Sequence, residues 1–169
     1  LFRSVTGNLL VKAGVTLTIQ PGVTLVFSED RLLRVNGKLI AEGTEEDSIT
    51  FTGNNWKYIE ITNNLGGSRI SYARITDETN RDWADWKLKL NRASSLSHSS
   101  VFNVSLGVNV GDSSSVNYNT FYDISQTAFD LYSGFAYGNT VYEVGRNNDW
   151  DNAAAIRLYG NSNFRNNRV

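Results

Sequence analysis

Cysteine and methionine are both missing from this 169-residue chain, and only one proline and one histidine are present. Without cysteine there can be no disulfide and no thiolate metal site. Sixteen basic residues against seventeen acidic ones leave a net charge of −1. That balance removes the electrostatic footprint expected of a nucleic-acid or anionic-membrane binder. No apolar run approaches the roughly 20 residues of a membrane-spanning helix. Because methionine is lacking and the chain stops at "FRNNRV", inside a pattern still repeating, we expect these residues to be part of a longer polypeptide. The length suits one domain with a sizeable core.

Helix signals are poor as well. Gly, Asn, Ser and Thr recur throughout, and apolar residues alternate with period two. A repeat of about 20 residues organises the alternation. One set of segments reads "YIEIT" (58–62), "KLKLN" (87–91), "GVNVG" (107–111), "AFDLY" (128–132) and "AIRLY" (155–159). A second set interleaves with it: "YARITD" (72–77), "HSSVFNVS" (98–105), "YNTFYDIS" (118–125), "GNTVYEVG" (138–145) and "NNRV" (166–169). Ile61, Leu90, Val110, Leu131 and Leu158 are separated by 29, 20, 21 and 27 residues. Ile75, Val101, Phe121, Val141 and Val169 are separated by 26, 20, 20 and 28. A short basal period with occasional longer members is the mark of a solenoid whose turns carry insertions. Coils this short, built from strands alone, predict an all-β parallel β-helix of about seven coils. Crossover handedness makes it right-handed. Residues 1–55 form its N-terminal coils, and 56–169 form regular coils with loops inserted at 77–86 and 145–152.

The single proline marks a corner. In "VTLTIQPGVTLVF" (15–27), Pro21 pre-sets φ and Gly22 can adopt positive φ, which together turn the chain sharply between two strands. This stretch, followed by "LLRVNGKLIAEGT" and "SITFTG", resembles the first coils of bacterial extracellular and cell-surface right-handed parallel β-helix repeat proteins. The resemblance is carried by Leu33, Val35, Asn36, Gly37, Leu39, Ile40, Ala41, Glu42, Gly43 and Thr44, and "WKYIEI" with "SRISYARI" resembles the family's next coil. It spans residues 10–76; beyond them only the general repeat is shared. It implies an extracellular or surface location and a structural or adhesive role.

Alternation also assigns columns. Ile59, Leu88, Val108, Phe129 and Ile156 should point inward, as should Ile61, Leu90, Val110, Leu131 and Leu158. Between them Glu60, Lys89, Asn109, Asp130 and Arg157 form one outward row. Lys89 and Arg157 are the residues a β-helix polysaccharide lyase would use. They also fit a ladder of opposite charges on adjoining coils, Glu60 over Lys89 and Asp130 over Arg157. Tyr72, His98, Tyr118 and Tyr137 form one aromatic stack, and Phe102, Tyr122 and Tyr142 another. Asp77, Asn103, Asp123 and Glu143 form a further row. Its stacked carboxylates Asp123 and Glu143 are either screened by solvent or neutralised by a cation, for which calcium is the suitable choice. The same two are the candidates for a glycosidase pair.

The two insertions fall at the same place in the coil, three coils apart, which puts their bases roughly 14 Å from one another across a notch. Asp82, Trp83 and Trp86 on one wall, and Asp149 and Trp150 on the other, combine ring faces with carboxylates as sugar sites do. The plainer reading is that each tryptophan folds down as a lid. Asn147, Asp149 and Asp151 at alternate positions add a weak calcium pattern without the EF-hand glycine or terminal glutamate. Two functions follow as expectations. The first is a non-catalytic surface segment, structural or adhesive, with polysaccharide or cell-surface glycan as partner and end-to-end contact with further coils or like subunits. The second is a polysaccharide lyase or glycoside hydrolase using Asp123, Glu143, Lys89 or Arg157. Ice binding is set aside, because it needs regular outward Thr-x-Thr ranks and Thr16/Thr18 and Thr50/Thr52 are isolated examples.

Overall fold

The computed structural model describes residues 1–62, 66–79, 85–145 and 154–169. Every ladder in it is parallel, and among the described residues there is no helix. It follows that no described helix is long and apolar enough to cross a membrane. Strands stack as a β-solenoid of about six turns, close to the seven expected, with three faces per turn.

The first face is built from Leu9–Val11, Leu33–Val35, Ile59–Ile61, Trp86–Leu90 and Ile156–Tyr159, with the second halves of Ser100–Val110 and Thr120–Tyr132 between the last two. The second face is a separate seven-stranded sheet running from Thr16–Ile19 to Asn163–Arg165. Its middle members, Ser95–Ser97, Ser115–Asn117 and Phe135–Tyr137, each point one apolar side chain inward: Leu96, Val116 and Ala136. The third face comprises Phe2–Val5, Thr24–Phe27, Ile49–Gly53, Ala73–Thr76, the first halves of the two long strands, and Thr140–Val144.

Both repeat columns read from the sequence are in register. Ile61 pairs through Leu90, Val110 and Leu131 to Leu158, and Ile75 through Val101 and Phe121 to Val141. The period of 21 in the first column has a visible cause. A shift between the two long strands makes Leu106 face Thr127 while Val104 faces Ile124, so the later coil carries one extra residue, as at a β-bulge. Most of the expected inward residues are fully buried. Leu158 is not: it is 50% exposed, and Ile156 is only partly covered, because no described strand lies beyond theirs.

All three corners use left-handed residues, Arg92, Ala93, Ser113 and Ser133 lying between the first and second faces. Between the second and third faces Tyr72, His98 and Tyr118 take φ of 47°, 49° and 58°, and Gly138 and Asn166 occupy the same place in later coils. Tyr137 therefore belongs one position earlier than the aromatic column in which the sequence placed it. It meets Tyr118 edge-on, while Tyr72, His98 and Tyr118 stack at centroid distances of 5.0 and 5.2 Å. Between the third and first faces Asn103, Asp123 and Glu143 take φ of 51–54°. Tight approach explains a glycine of the N-terminal motif too, since a Cβ on Gly37 would lie 2.1 Å from the Val15 carbonyl oxygen. Pro21-Gly22 turns as expected, with Gly22 at φ 73°.

The turn out of the second face leaves backbone amides without strand partners, and a buried ladder satisfies them. The amide N–H groups of Ser99, Asn119 and Asn139 donate to the side-chain oxygens of Asn119, Asn139 and Asn167, at 3.0, 2.9 and 2.9 Å. Each of these asparagines donates its own NH2 back to a strand carbonyl, of Leu96, Val116 and Ala136. Only an amide of this length supplies both halves. Asn139→Ala strands the Asn119 amide in an interior where an orphaned donor costs about 1–3 kcal/mol, and removes further bonds. We expect a loss of about 3 kcal/mol in urea unfolding, and clearly less for Asn117→Ala on the neighbouring outward position.

Candidate functional site on the loop-bearing face

Both inserted loops emerge between the third and first faces. The first face next to them carries the outward column Arg34, Glu60, Lys89, Asn109, Asp130, Arg157 in unbroken register. Lys89 and Arg157 are thus three coils apart, roughly 14 Å along the axis. Each is held by a different acid. Arg157 Nε donates to Asp130 at 2.8 Å and its Nη2 to Thr127 Oγ1 at 3.2 Å. Lys89 pairs with Asp85 and sits 4.0 Å from the centroid of the Tyr58 ring. The expected pair Asp130–Arg157 forms, whereas Glu60 and Lys89 stack in register without pairing. Arg34 reaches Glu60 from the preceding coil at 2.8 Å, and Asp85 lies four residues before Lys89, at the entry to the same strand.

Asp130 is buried, with 5% of its side chain exposed, and burial pushes its carboxyl pKa up against the opposing pull of Arg157. Tyr132 donates to its other oxygen at 3.4 Å. Trp86 is partly buried and faces Leu106 of the next coil. The Arg157 guanidinium approaches to 5.9 Å from its ring centroid, so ring and cation meet over the two intervening coils. The strip bounded by Trp86 and Arg157 is the part of the expected notch that can be described. Asp82, Trp83, Asp149, Trp150 and Asp151 lie outside the described residues.

Asp123 and Glu143 occupy successive coils at the corner from which the loops emerge, following Tyr122 and Tyr142, which pair in register. They sit one strand spacing apart, about 4.8 Å. Both project from equivalent positions of one corner rather than from opposite sides of a gap. Asp77, which the sequence placed in the same row, is instead 5% exposed and turned inward. Among the described residues no group of three or more acidic or histidine side chains is arranged to hold a metal ion.

Asp77 turns in because it meets Lys87, a residue the sequence reading passed over. Lys87 Nζ lies 2.7 Å from Asp77 Oδ2 and donates to the Trp56 carbonyl, also at 2.7 Å. It rests 4.5 Å from the Trp56 ring centroid, and that ring stacks on Phe27. Asp77 Oδ1 accepts the amide N–H groups of Asn55 and Thr79. Burial lowers the Lys87 pKa, and Asp77 opposes the shift. The pair ties together the two ends of the first inserted loop. Period-two alternation gives Lys87 an outward position like that of Lys89, so nothing in the local pattern distinguishes them. Trp56 is likewise buried at 2% exposure, its indole N–H bonded to the Thr76 carbonyl.

No protein-family model, curated protein or solved structure matches the chain. The resemblance noted in the N-terminal coils therefore stands at the level of a parallel β-solenoid.

Two outcomes follow from these groups. Lys87→Met leaves a buried carboxylate without its cation and should cost about 3–5 kcal/mol. Adding Asp77→Asn should recover a measurable part of that loss in a double-mutant cycle. For Asp130, a folded pKa above the unfolded one means that the folded state binds a proton first as pH falls. This term favours folding on acidification and is lost as pH rises through the folded pKa. The stability difference between the wild type and Asp130→Asn should therefore move in favour of the wild type between neutral pH and the carboxylate range, measured by urea unfolding at each pH.

Proposed function

We propose that the chain is a non-catalytic segment of an extracellular or cell-surface protein, structural and adhesive, whose loop-bearing face contacts glycans. The observation that carries this reading is the column on the first face. Its basic groups are each engaged by a carboxylate on a neighbouring position, Arg34 with Glu60, Lys89 with Asp85 and Arg157 with Asp130. A lyase needs a base that can reach a substrate proton, and a retaining hydrolase needs two carboxyl groups on opposite sides of the scissile bond. Paired cations spread over six coils and carboxylates projecting from one corner suit a cohesive surface better. Trp86 at the edge of the strip offers an aromatic contact beside polar groups, a composition suited to sugars. The bacterial surface origin implied by the N-terminal motif agrees with a chain that contains no cysteine.

The test is retention on a panel of immobilised polysaccharides. Trp86→Ala should weaken retention about tenfold, the order of one lost aromatic contact, with little change in melting temperature. Release of reducing ends or unsaturated products from any of them, abolished by Glu143→Gln or Lys89→Ala, would overturn the non-catalytic reading in favour of a polysaccharide-degrading enzyme.

A further inference from the structure

The third face carries a second surface of different character. Ser100, Thr120 and Thr140 form an outward rank in register, with Arg74 at the same position one coil before Ser100. Two residues away on one side stands the stack Tyr72–His98–Tyr118. On the other side Phe102, Tyr122 and Tyr142 stack at 4.8 and 5.4 Å, within 5° of parallel. The Asn ladder and Phe121 point inward between them, so the hydroxyls form the floor and the aromatic columns the walls. Part of this trough is an open cleft of about 390 Å3 lined by Tyr72, Arg74, His98, Ser100, Tyr118 and Thr120.

The contrast with the first face is in how the polar groups are used. There the charges are paired. Here the hydroxyls of Ser100, Thr120, Thr140 and Tyr118, the His98 ring and the Arg74 guanidinium make no hydrogen bond or ion pair with the described residues. Arg74 only caps the Phe102 ring, at 5.1 Å. The result is a row of unsatisfied donors and acceptors repeating once per coil. The stacked rings turn their edges and polar atoms outward, since their faces cover one another.

We propose that this trough binds an extended, neutral polysaccharide chain lying along the solenoid axis. A sugar chain presents hydroxyls at a regular interval, and an extended pyranose chain advances by nearly one strand spacing per unit. Each coil can then repeat the same contact: a hydroxyl bond below and aromatic C–H and phenol groups at the sides. The charge of the lining argues against polyanions. Arg74 is the one arginine or lysine lining the cleft and Arg168 follows Thr140 in the rank, while Glu45 also lines the cleft and Asp123 and Glu143 follow the second aromatic wall, so no continuous basic row runs along the trough. A peptide strand is disfavoured because this surface offers side chains and no unpaired sheet edge. The inference rests on the reading above for its ligand class alone; the site is a different face.

Titration with cello-oligosaccharides of increasing length, by calorimetry or NMR, tests it. Affinity should rise with length until the oligomer spans from Tyr72 to Tyr142, because each added unit repeats a contact on an already tethered chain. Acidic oligogalacturonides of equal length should bind more weakly. Thr120→Val, which keeps the side-chain shape, should weaken binding about fivefold for one lost hydrogen bond. Tyr118→Asn should weaken it about tenfold; asparagine already occupies the equivalent left-handed position at Asn166. Trp86→Ala should leave this binding unchanged. Absence of binding, absence of length dependence, preference for the acidic oligomers, or indifference to Thr120→Val in a chain with normal circular dichroism would each overturn the proposal. Loss on Trp86→Ala alone would overturn it too, while leaving the glycan reading of the loop-bearing face intact.

Discussion

Each residue in the body of this molecule has its equivalents one coil above and one coil below as its neighbours, because the backbone bonds that join the coils also hold the side chains in columns. A parallel ladder spaces those columns at about 4.8 Å, closer than most side chains can ignore. The columns must therefore be internally compatible. Aliphatic stacks such as Ile61–Leu90–Val110–Leu131 satisfy the condition by burial. Aromatic stacks do so by near-parallel rings, as in Phe102–Tyr122–Tyr142. Charged columns satisfy it by alternation or by borrowing a partner from elsewhere in the coil, as Lys89 does from Asp85.

The corners are where this regime is most exacting. A left-handed residue costs about 1–2 kcal/mol for anything but glycine, yet tyrosine, histidine, asparagine, aspartate and glutamate fill nine of the thirteen non-glycine positions of this kind among the described residues. Two compensations are visible. Tyr72, His98 and Tyr118 recover energy by stacking with one another. The residue immediately after each turn, Ser99, Asn119 or Asn139, points inward and satisfies the amide that the turn leaves without a strand partner. The strained residue, the stack and the polar ladder form one unit repeated up the axis.

Insertion of a loop replaces a tight corner while the strand columns on either side stay in register, and the molecule closes the base of the loop with charge. Asp77 and Lys87 stand at the two ends of the first inserted loop and meet in the interior. Ion pairs so buried are seldom net stabilising relative to apolar packing, but they penalise any arrangement that separates them. Such a pair sets the path of the chain into and out of the loop, and with it the placement of Trp86 at the head of the following strand. The function proposed for the loop-bearing face thus depends on a contact made beneath it.

The solenoid, the period of 20–21 residues, the parallel columns on two faces and the Pro21-Gly22 corner could be read from the sequence. Each depends on the short-range alternation of apolar residues and on a spacing that repeats. The second face escaped the reading because its strands bury one apolar residue each, Leu96, Val116 or Ala136, too few to produce a periodic signal. The Asn ladder left a trace in "YNT" and "GNT" that only the direction of the corner explains. Which charges pair was decided by the tertiary structure. Glu60 has Arg34 on one side and Lys89 on the other, and Lys87 and Lys89 share the same alternation although one is buried and the other partly exposed. The hydroxyl trough also arises only when three coils come into register, since Ser100, Thr120 and Thr140 are ordinary loop and strand residues until stacking makes them a row. Local alternation determines which face a side chain takes; the identity of its neighbour is a property of the coil above and below, and only folding supplies it.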